Sequence, residues 1–565
     1  MKILGISAFY HDSAAAIIIN GRIAVAIEEE RFSRIKHDNQ FPKEAIQFCL
    51  RSLGLTIDDI DAVSYYEKPL LKFERLLETF VSTYPHALKP FLQAIQDWLG
   101  EKIKVEDHIR NATGWKKHIY YIPHHRSHAA AAYYSSPFTH AAILTIDGVG
   151  EYQTTALWHG ENENLKELCS LSFPHSLGLL YSTFTAFLGF KVNEDEFKVM
   201  GLAAYGKPTY IEQIQKIITI KEDGSFDLDL SYFSFREDFR MWSTKFETLF
   251  EKPRKSDEPV LKHHRDIAAS IQAVTEQILF AILNYLAAST KEKNLCIGGG
   301  VALNALANGK MYKNTPFKKI HILGTAGDSG AAIGSALYTH TLLVPKKSHI
   351  FCQSLYLGTS YSDDIIEETL KLYPVSYKKF EEEQKLLTTV VMYLTKRKIV
   401  GWFQGRCEVG PRALGNRSIL GIPNPRSMKD RMNLIKRREQ FRPFAGSILQ
   451  EHVHKYFSVP EKNHYSPFMN FCFPVKEKRR HDLAAIVHND NTCRIQTISK
   501  ENGRYYRLIQ EFYKQTGIAC ILNTSFNLKG EPIVEHPRHA IEDFLKTQMD
   551  YLIIEDFLIE KFHKV

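Results

Sequence analysis

The sequence predicts an α/β protein with a duplicated N-terminal α/β domain and a second α/β domain behind it. Three observations carry this prediction. Short apolar runs that suit strands alternate with helical patterns, the order of the first elements returns after residue 140, and the composition changes at Val344-Pro345-Lys346-Lys347. Alternating strands and helices are typical of α/β folds, and a recurring order of elements indicates duplication.

The first copy of the unit occupies the beginning of the chain. Runs rich in Ile and Val predict strands at residues 2–9, 14–20 and 23–30. Asn20-Gly21, between the second and third runs, is a strong signal for a two-residue hairpin turn. A helix is predicted at 42–53, where Pro42 suits the first turn, and a strand is predicted at 61–66.

The second copy begins with the pattern of a buried strand at 141–146. Apolar runs and helical periodicity predict the elements that follow: strands at 152–158, 294–297 and 318–323, and helices at about 265–288 and 330–342. The region behind the Pro/Lys stretch begins with helices near 362–373 and 383–396 and a strand at 399–403. The chain is therefore expected to divide into an N-terminal domain at 1–345, a linker at 346–358 and a C-terminal domain at 359–565.

Composition places the chain among ordinary globular proteins. Hydrophobic residues make up 44% and charged residues 24% of its 565 residues, which excludes disorder and fibrous repeats as descriptions of the whole chain. The 72 basic and 64 acidic residues leave a net charge of +8. This mild excess suits small anionic ligands and, without a dense basic stripe, argues against nucleic acid as the partner.

Eight cysteines are spread through the chain, and no two of them form a CxxC pair. This spacing argues against a zinc ribbon, a thioredoxin-like motif and a disulfide scaffold, and it predicts reduced thiols in a cytoplasmic protein. The N-terminus lacks the apolar core of a signal peptide, and the longest uncharged stretch, 168–190, is interrupted by Pro174 and two glycines. We therefore predict neither a secretion signal nor a membrane span.

His124 and His128, in HHRSH, are the first candidates for chemistry. Four residues apart, they share one face of a helix and can chelate one metal ion; the alternative is a helix start that merely carries histidines. Asp147 and Asp328 each follow a strand pattern. Carboxylates at that place in α/β folds reach the ligand crevice, although turn-forming Asp is also common there. Two imidazoles and two carboxylates would form a mixed site suited to Fe, Mn or Zn.

The second region is the more basic one. Two segments hold most of its cations: GRCEVGPRALGNRS, with Arg412 and Arg417, and IKRREQFR, with Lys436 and Arg442. Arg494 follows further along the chain. Because Arg offers planar, bidentate donors, this concentration predicts phosphate binding, whereas the run at 435–439 by itself would also suit a solvated helix face.

Two loops that follow strand patterns complete the set of candidates. Gly298-Gly299-Gly300 comes shortly before Asn304, and glycines in such a loop let backbone N–H groups approach a phosphate or a nucleobase closely. The pattern is neither a Walker A nor a GxGxxG motif. A polar turn with Asn523 and Ser525 follows the strand pattern IACIL.

Taken together, these segments resemble the O-carbamoyltransferase family, which includes the nodulation-factor, cephamycin and tobramycin carbamoyltransferases. The resemblance spans essentially the whole chain. It is carried in the first half by HDSAA (11–15), EEERFSRIKH (28–37), HHRSHAAAAYYSS (124–136), DGVGE (147–151), KVMGLAAYG (198–206), GGGVALN (298–304) and GDSGAAIGSAL (327–337). It is carried in the second half by GRCEVGPRALGNRSIL (405–420), IKRREQFRPFA (435–445) and LNTSFNLKGEPIV (522–534).

The resemblance implies two domains with separate reactions. The N-terminal domain is similar to the actin and sugar-kinase-like (ASKHA) fold of the threonylcarbamoyl transferase, and the C-terminal domain is similar to the YrdC-type domain. The C-terminal domain would make carbamoyl-adenylate from carbamoyl phosphate and ATP, with Mg²⁺ accompanying the ATP. The N-terminal domain would transfer the carbamoyl group to a hydroxyl of a small-molecule or glycan acceptor, in the manner of an enzyme of natural-product biosynthesis.

The resemblance also implies roles for the candidate residues. Fe(II) or another divalent metal would be held by His124, His128, Asp147 and Asp328. His11 and Asp12 would be catalytic, with an unperturbed His11 imidazole as general base; the alternative for His11 is a histidine that only stabilises a turn beside Asp12. Substrates and nucleotide would be bound by Lys198, Gly298, Gly299, Gly300, Asn304, Arg412, Arg417, Ser418, Lys436, Arg442, Arg494, Asn523 and Ser525.

Two other functions share parts of this pattern. A tRNA threonylcarbamoyl-type enzyme has both domain types but handles a large nucleic acid, and a non-catalytic actin-like scaffold would bind nucleotide only. The hydrogenase maturation factor that transfers carbamoyl groups carries paired CxxC motifs, which this chain lacks. The sequence does not identify the acceptor, and it leaves a homodimer open.

Overall fold

The computed structural model describes residues 1–344 and 350–562, which form two compact units. Unit 1 comprises Met1–Glu29, His37–Ala307 and Met311–Gln353. Unit 2 comprises Glu30–Lys36, Asn308–Lys310 and the chain from Ser354 onward. Residues 346–349 of the predicted linker lie outside the described residues.

The first sheet of unit 1 has five strands in the order β3-β2-β1-β4-β5. The strands are β1 (Lys2–Ser7), β2 (Ala14–Ile19), β3 (Arg22–Glu28), β4 (Ala62–Tyr65) and β5 (Ile119–Tyr121). The helices of this part of the chain are α1 (Glu30–Ser33), α2 (Lys43–Ser52), α3 (Pro69–Thr83), α4 (Leu88–Gly100), α5 (Val105–Thr113) and α6 (His124–Tyr134). The predicted hairpin turn is confirmed, because Asn20 and Gly21 both adopt positive φ, 51° and 85°, as such a turn requires.

The second sheet of unit 1 has the order β12-β11-β6-β7-β8. The strands of this region are β6 (His140–Ile146), β7 (Gln153–Glu161), β8 (Asn164–Ser172), β9 (Ile218–Ile220), β10 (Phe226–Leu228), β11 (Asn294–Gly298) and β12 (Lys319–Ile322). β9 and β10 pair separately. The helices are α7 (Leu177–Phe187), α8 (Glu196–Ala203), α9 (Ile211–Gln215), α10 (Thr244–Phe250), α11 (Lys262–Thr290), α12 (Ala305–Asn314) and α13 (Asp328–Leu343).

The two five-stranded sheets repeat one topology. In each, three consecutive strands form an antiparallel meander, and two further strands add in parallel beside the first strand of the meander. The duplicated α/β unit predicted from the sequence is therefore confirmed. The repeated order is that of the actin and sugar-kinase-like fold expected for the N-terminal domain.

Unit 2 is built around a nine-stranded mixed sheet with the order β13-β21-β20-β14-β15-β19-β16-β18-β17. The strands are β13 (Val375–Lys379), β14 (Val400–Phe403), β15 (Arg417–Gly421), β16 (Ala445–Leu449), β17 (Phe471–Pro474), β18 (Thr492–Ile498), β19 (Cys520–Ser525), β20 (Tyr551–Ile554) and β21 (Phe557–Lys561). The helices are α14 (Asp363–Lys371), α15 (Glu383–Thr395), α16 (Ser427–Ile435), α17 (Val453–Tyr456), α18 (Arg504–Thr516) and α19 (Pro537–Leu545). This is the α/β architecture predicted for the second domain, whereas its YrdC-type fold stays a prediction.

Among the described residues, α11 is the one helix whose length and apolarity would allow it to cross a membrane. Two thirds of its apolar stretch, 67%, is buried inside the protein. α11 packs against α7, α8 and α9. Its apolar character is therefore that of a core helix of unit 1.

The close approach of α6 to two glycines positions the site described below. A Cβ atom on Gly334 of α13 would lie 1.9 Å from the Ser127 carbonyl oxygen, and a Cβ on Gly298, at the end of β11, would lie 2.8 Å from the His128 carbonyl oxygen. The next four residues of α6, 129–132, are all alanines, so that this part of the helix has small side chains, and all four are buried. The helix that carries His124 and His128 is thus held tightly between α13 and β11.

Because of this close contact, adding one methyl group at Gly334 should destabilise the protein strongly. The Gly334→Ala variant should lose roughly 1–3 kcal/mol of unfolding free energy, because the new methyl has to displace the backbone of α6. Urea denaturation followed by circular dichroism measures the loss. Gly100→Ala is the matched control, since a Cβ there would have no neighbour within 4 Å among the described residues. Equal midpoints for the two variants would contradict the prediction.

Candidate metal centre and anion site

Four predicted side chains converge in unit 1: His124, His128, Asp147 and Asp328. His128 Nε2 lies 3.1 Å from His124 Nε2, 3.0 Å from Asp147 Oδ2 and 3.4 Å from Asp328 Oδ1. His124 Nε2 lies 3.4 Å from Asp147 Oδ2 and 3.8 Å from Asp328 Oδ1. The α6 spacing and the two strand-end carboxylates thus bring their ligand atoms to one point, as the sequence predicted.

The arrangement fits a divalent metal ion. A tetrahedral ion bound at about 2.0–2.1 Å would separate its ligand atoms by roughly 3.3–3.4 Å, close to the separations found here. Both carboxylate oxygens of Asp328, which is 1% exposed, lack a hydrogen-bond donor among the described residues. A buried carboxylate without donors is costly, and a cation at this point would satisfy it.

The negative charges of the cluster act on its imidazoles. Burial opposes the charged imidazole, but the negative charges of Asp147 and Asp328 raise the pKa of His128 to about 9. Burial likewise opposes the charged form of Asp147, yet His124 and His128 hold the pKa of this carboxyl well below its usual range. The pocket therefore has a strongly negative potential, which suits a bound cation.

The DGVGE motif (147–151) shapes the pocket beyond its ligand Asp147. Gly150 leaves room for an imidazole, since a Cβ there would lie 2.9 Å from His124 Cδ2. The Glu151 carboxylate accepts hydrogen bonds from the backbone N–H of His124, at 3.0 and 3.1 Å, and of Lys68, at 2.8 Å. Glu151 thus caps the first turn of α6 and orients the first ligand, a role that the sequence alone did not reveal.

His125, between the two ligands, is outside the cluster. Its Nδ1 lies 2.9 Å from Thr145 Oγ1. Burial and the neighbouring imidazoles lower the pKa of His125 to about 3, so it stays neutral. A helical residue next to a ligand points away from it, because adjacent positions are about 100° apart on a helix.

His11 and Asp12 lie beside the cluster in a strained loop. Phe9 and Asp12 adopt positive φ, 71° and 53°. Asp12 bridges two imidazoles: its carboxylate lies 2.9 Å from His11 Nδ1 and 2.7 Å from His37 Nδ1. His11 Nε2 lies 3.9 Å from Asp328 Oδ2. His11 is therefore part of the site and does not only stabilise a turn, and His37 is a partner that sequence reasoning missed.

The expectation of an unperturbed His11 imidazole is wrong for the chain as described. Burial favours the neutral ring, but the negative charge of Asp328 and the hydrogen bond to Asp12 raise the pKa of His11 to about 10. The imidazole is consequently protonated at neutral pH in this charge environment. The sequence could not reveal this, because Asp328 reaches His11 only through the fold.

The glycine loop and Lys198 have contacts of their own. A Cβ on Gly300 would lie 3.0 Å from Asp147 Oδ1, so the loop borders the cluster. Asn304 caps α12 and exchanges two hydrogen bonds with Gln272, at 3.2 and 3.0 Å. Lys198 forms an ion pair with Asp195 at 2.9 Å. Nucleotide binding by Gly298, Gly299, Gly300, Asn304 and Lys198 stays a prediction.

Unit 2 brings together Arg412, Arg438, Arg442 and Arg494, and Glu439 pairs with Arg442 at 3.8 Å. Burial and the positive charges of Arg494 and Arg442 lower the pKa of Arg412 well below its ordinary value. Burial, Arg442 and Arg494 do the same to Arg438. The Nε atoms of Arg412 and Arg494 are buried and have no acceptor among the described residues. Buried cations that repel one another suit an anionic ligand.

Polar side chains line one face of the sheet in this unit. Ser418 of β15 is paired with Ser525 of β19, and Asn523 of β19 is paired with Ala445 of β16, which in turn is paired with Arg494 of β18. Directly paired residues share a face, as do residues two apart on one strand. The predicted residues Ser418, Asn523, Ser525 and Arg494 therefore project from the same face.

Two predicted phosphate ligands, Arg417 and Lys436, have most of their donors in use within the protein. The Arg417 guanidinium is fully buried and donates to the carbonyl oxygens of Gln404, Thr359 and Gly405 at 2.6 to 3.1 Å. The Lys436 ammonium donates to the Ser525 carbonyl and, at 2.9 Å, to both Asn527 oxygens. Arg417 and Lys436 thus hold loops in place, and phosphate binding by them stays a prediction.

Glu408 is a positioning residue that the sequence did not single out. One carboxylate oxygen, Oε1, accepts the backbone N–H groups of Leu414, Asn416 and Arg417 at 2.7, 2.8 and 3.1 Å. Glu408 is fully buried. It fixes the loop that presents Arg412, and only the backbone geometry reveals this, because a carboxylate between Cys and Val has no recognisable pattern.

Comparison with protein families identifies the chain. A family model described as the N-terminus of carbamoyltransferases matches residues 2–337, and one described as the C-terminus matches residues 391–561. The chain belongs to the carbamoyltransferase family and is a transferase.

Individual relatives agree with this assignment. The chain is 43% identical to the uncharacterized protein sll1178 of Synechocystis sp., over 99% of this chain and 96% of that protein. It is 35% identical to nodulation protein NolNO of Sinorhizobium fredii, over 98% of this chain and 79% of that protein.

Among solved structures, component A of the (R)-2-hydroxyglutaryl-CoA dehydratase of Acidaminococcus fermentans is similar over 60% of this chain and 98% of its own length. The identity is 16% and the TM-score 0.34. Such a distant likeness supports no argument, so the fold assignment rests on the repeated strand order.

The cluster in unit 1 predicts a metal-dependent property. His128→Ala should bind Fe(II), Mn(II) or Zn(II) at least ten-fold more weakly, because it removes a ligand from a buried, closed set. Elemental analysis after metal loading and gel filtration measures the retained ion. His125→Gln, on the same helix but outside the cluster, should retain it. Equal metal content in the two variants would remove His128 from the site.

The arginine cluster predicts anion affinity in unit 2. Arg412→Ala should weaken carbamoyl phosphate binding about ten- to a hundred-fold, the effect of losing a charge-assisted hydrogen bond of about 1.5–3 kcal/mol. Isothermal titration calorimetry measures the affinity. Arg431→Ala is the control, because Arg431 forms a half-exposed ion pair with Asp550. Unchanged affinity in Arg412→Ala would show that the cluster is not the anion site.

Proposed function

We propose that the protein is an ATP-dependent O-carbamoyltransferase that carbamoylates a hydroxyl group of a small-molecule or glycan acceptor. The observation that carries the proposal is the contrast between the two units of this carbamoyltransferase chain. Unit 1 contains a buried, carboxylate-rich cluster fit for a cation, and unit 2 contains buried arginines fit for anions. A reaction that uses two anionic substrates and then a metal-assisted transfer requires both.

Unit 2 suits the formation of carbamoyl-adenylate. Water hydrolyses carbamoyl phosphate to carbamate and inorganic phosphate, and a carbamate oxygen then attacks the α-phosphate of ATP. The bond to the β-phosphate breaks, and pyrophosphate leaves. Arg412, Arg438, Arg442 and Arg494 offset the charge of these anions, with Arg412 presented by the loop that Glu408 holds.

Unit 1 suits the transfer of the carbamoyl group. A metal ion held by His124, His128, Asp147 and Asp328 would supply Lewis-acid charge for the phosphate of the adenylate. A cation bound to Asp328 would offset the charge that raises the His11 pKa, so that the ring becomes neutral. His11 then keeps its Nδ1–H on Asp12, and Nε2 is the atom that accepts the proton of the acceptor hydroxyl. The acceptor oxygen bonds to the carbamoyl carbon, and AMP leaves. The ligand set suits Fe(II) as well as Mn(II) or Zn(II).

The alternatives account for fewer observations. A non-catalytic scaffold has no use for buried arginines with unused donors. A threonylcarbamoyl enzyme acting on tRNA would require a basic surface larger than a net charge of +8 suggests. We further propose a cytoplasmic location, in keeping with free cysteines, seven of which are buried.

Separating the half-reactions tests the proposal. His128→Ala should still release pyrophosphate from ATP and carbamoyl phosphate, because the arginines are untouched, but it should not transfer the carbamoyl group. Arg412→Ala should lose pyrophosphate release yet carbamoylate an acceptor when carbamoyl-adenylate is supplied. Mass spectrometry of an aminoglycoside and oligosaccharide panel detects the gain of one carbamoyl group.

Two results would contradict the scheme. If wild-type protein releases no pyrophosphate, the chain does not make the adenylate. If folded, metal-loaded Arg412→Ala fails with supplied carbamoyl-adenylate, a single composite site replaces the two-site scheme. Arg431→Ala should behave as wild type in both assays, since its ion pair with Asp550 lies outside the arginine cluster.

A further inference from the structure

The helical hairpin of α3 and α4, inserted between β4 and β5, carries a concentrated apolar surface. Within the described part of the chain, 22 large hydrophobic side chains are exposed, and eight of them fall in this short segment: Leu70, Leu71, Leu77, Val81, Tyr84, Leu88, Leu92 and Leu99. Val81 is 74% and Leu70 is 70% exposed. Single exposed hydrophobic residues are ordinary, whereas a cluster of them marks an interaction surface.

The exposed residues form two stripes with the spacing of a coiled-coil seam. On α3, the stripe is Leu70, Leu77 and Val81, at intervals of 7 and 4 residues, and the exposed Tyr84 follows as the C-cap of the helix. On α4, the stripe is Leu88, Leu92 and Leu99, at intervals of 4 and 7 residues. Such intervals keep side chains along one line that faces another helix. Phe80 and Phe91, stacked with ring centroids 3.9 Å apart, hold the two helices together.

The opposite side of α3 already rests on unit 1. Lys72 pairs with Glu67 at 2.6 Å and lies over the Tyr10 ring, and Arg75 donates to the Gly150 carbonyl oxygen at 3.0 Å. On a helix, Lys72 and Arg75 lie more than 120° away from the line of Leu70, Leu77 and Val81. The stripe is therefore not used to attach the hairpin to its own chain.

We propose that a second copy of this chain covers the hairpin, so that two hairpins form an antiparallel four-helix bundle. When two hairpins face each other across a two-fold axis, the apolar stripes of each hairpin are buried by those of the other. Exposed charged residues beside the stripes support this arrangement. They are Glu74 and Glu78 on α3 and Lys89 on α4. Packing α3 of one copy against α4 of the other joins opposite charges, whereas packing α3 against α3 would bring carboxylates together.

The charge of the insertion argues against a membrane as the occupant. Residues 69–113 contain six basic and six acidic side chains, so this segment has no net charge. Helices that bind anionic lipid surfaces combine an apolar face with an excess of Lys and Arg. The second copy is therefore the better partner.

Light scattering across a dilution series tests the proposal on the full chain. Wild type should show twice the chain mass of 65.0 kDa, and Leu77→Asp/Val81→Asp should show the mass of one chain. Lys89→Glu should weaken the dimer, and adding Glu78→Lys should strengthen it again. Leu372→Asp, at a side chain that is 80% exposed on unit 2, is the control and should leave the dimer intact.

Three results would overturn the proposal. Wild-type protein with the mass of one chain at every concentration has no such interface. A dimer that survives Leu77→Asp/Val81→Asp, with the circular dichroism of both proteins unchanged, uses another surface. Co-sedimentation of monomeric wild type with phosphatidylglycerol vesicles, lost in the double variant, would assign the hairpin to a membrane.

Discussion

The geometry of the His124, His128, Asp147 and Asp328 cluster depends on how closely α6 can approach α13 and β11. A helix carrying two imidazoles at i and i+4 offers only half of a ligand set, and the carboxylates come from the ends of β6 and the start of α13. Gly334 and Gly298 let the backbone of α6 reach both neighbours, where any Cβ would collide with a carbonyl oxygen. The four polar side chains can therefore meet only because small residues allow the backbones around them to pack closely.

The two units bury charged groups of opposite sign. Unit 1 buries two carboxylates whose repulsion is relieved by imidazoles and, when one is bound, by a cation. Unit 2 buries arginines whose repulsion is relieved when an anion binds. Buried like charges are costly, and each arrangement suits a ligand of opposite charge.

In unit 2, the presence of an arginine in the sequence does not determine whether its donor groups are used within the protein. Arg417 and Arg412 stand five residues apart in one glycine-rich segment. The two terminal nitrogens of Arg417 donate to backbone carbonyl oxygens, whereas Arg412 lies within the repulsive field of Arg494 and Arg442. Backbone carbonyls thus determine which arginine is held within the protein, and Glu408 fixes the loop that carries Arg412.

The sequence by itself determined the duplicated α/β unit, the hairpin turn at Asn20-Gly21 and the four His and Asp residues that come together in unit 1. These follow from periodicity, turn chemistry and the placement of carboxylates at strand ends, all of which are local. Only the tertiary structure decided the charge state of His11, the capping role of Glu151 and the use of Arg417 and Lys436 as internal ties. Hydrogen-bond partners and electric fields come from residues distant in the chain, and no local pattern encodes them.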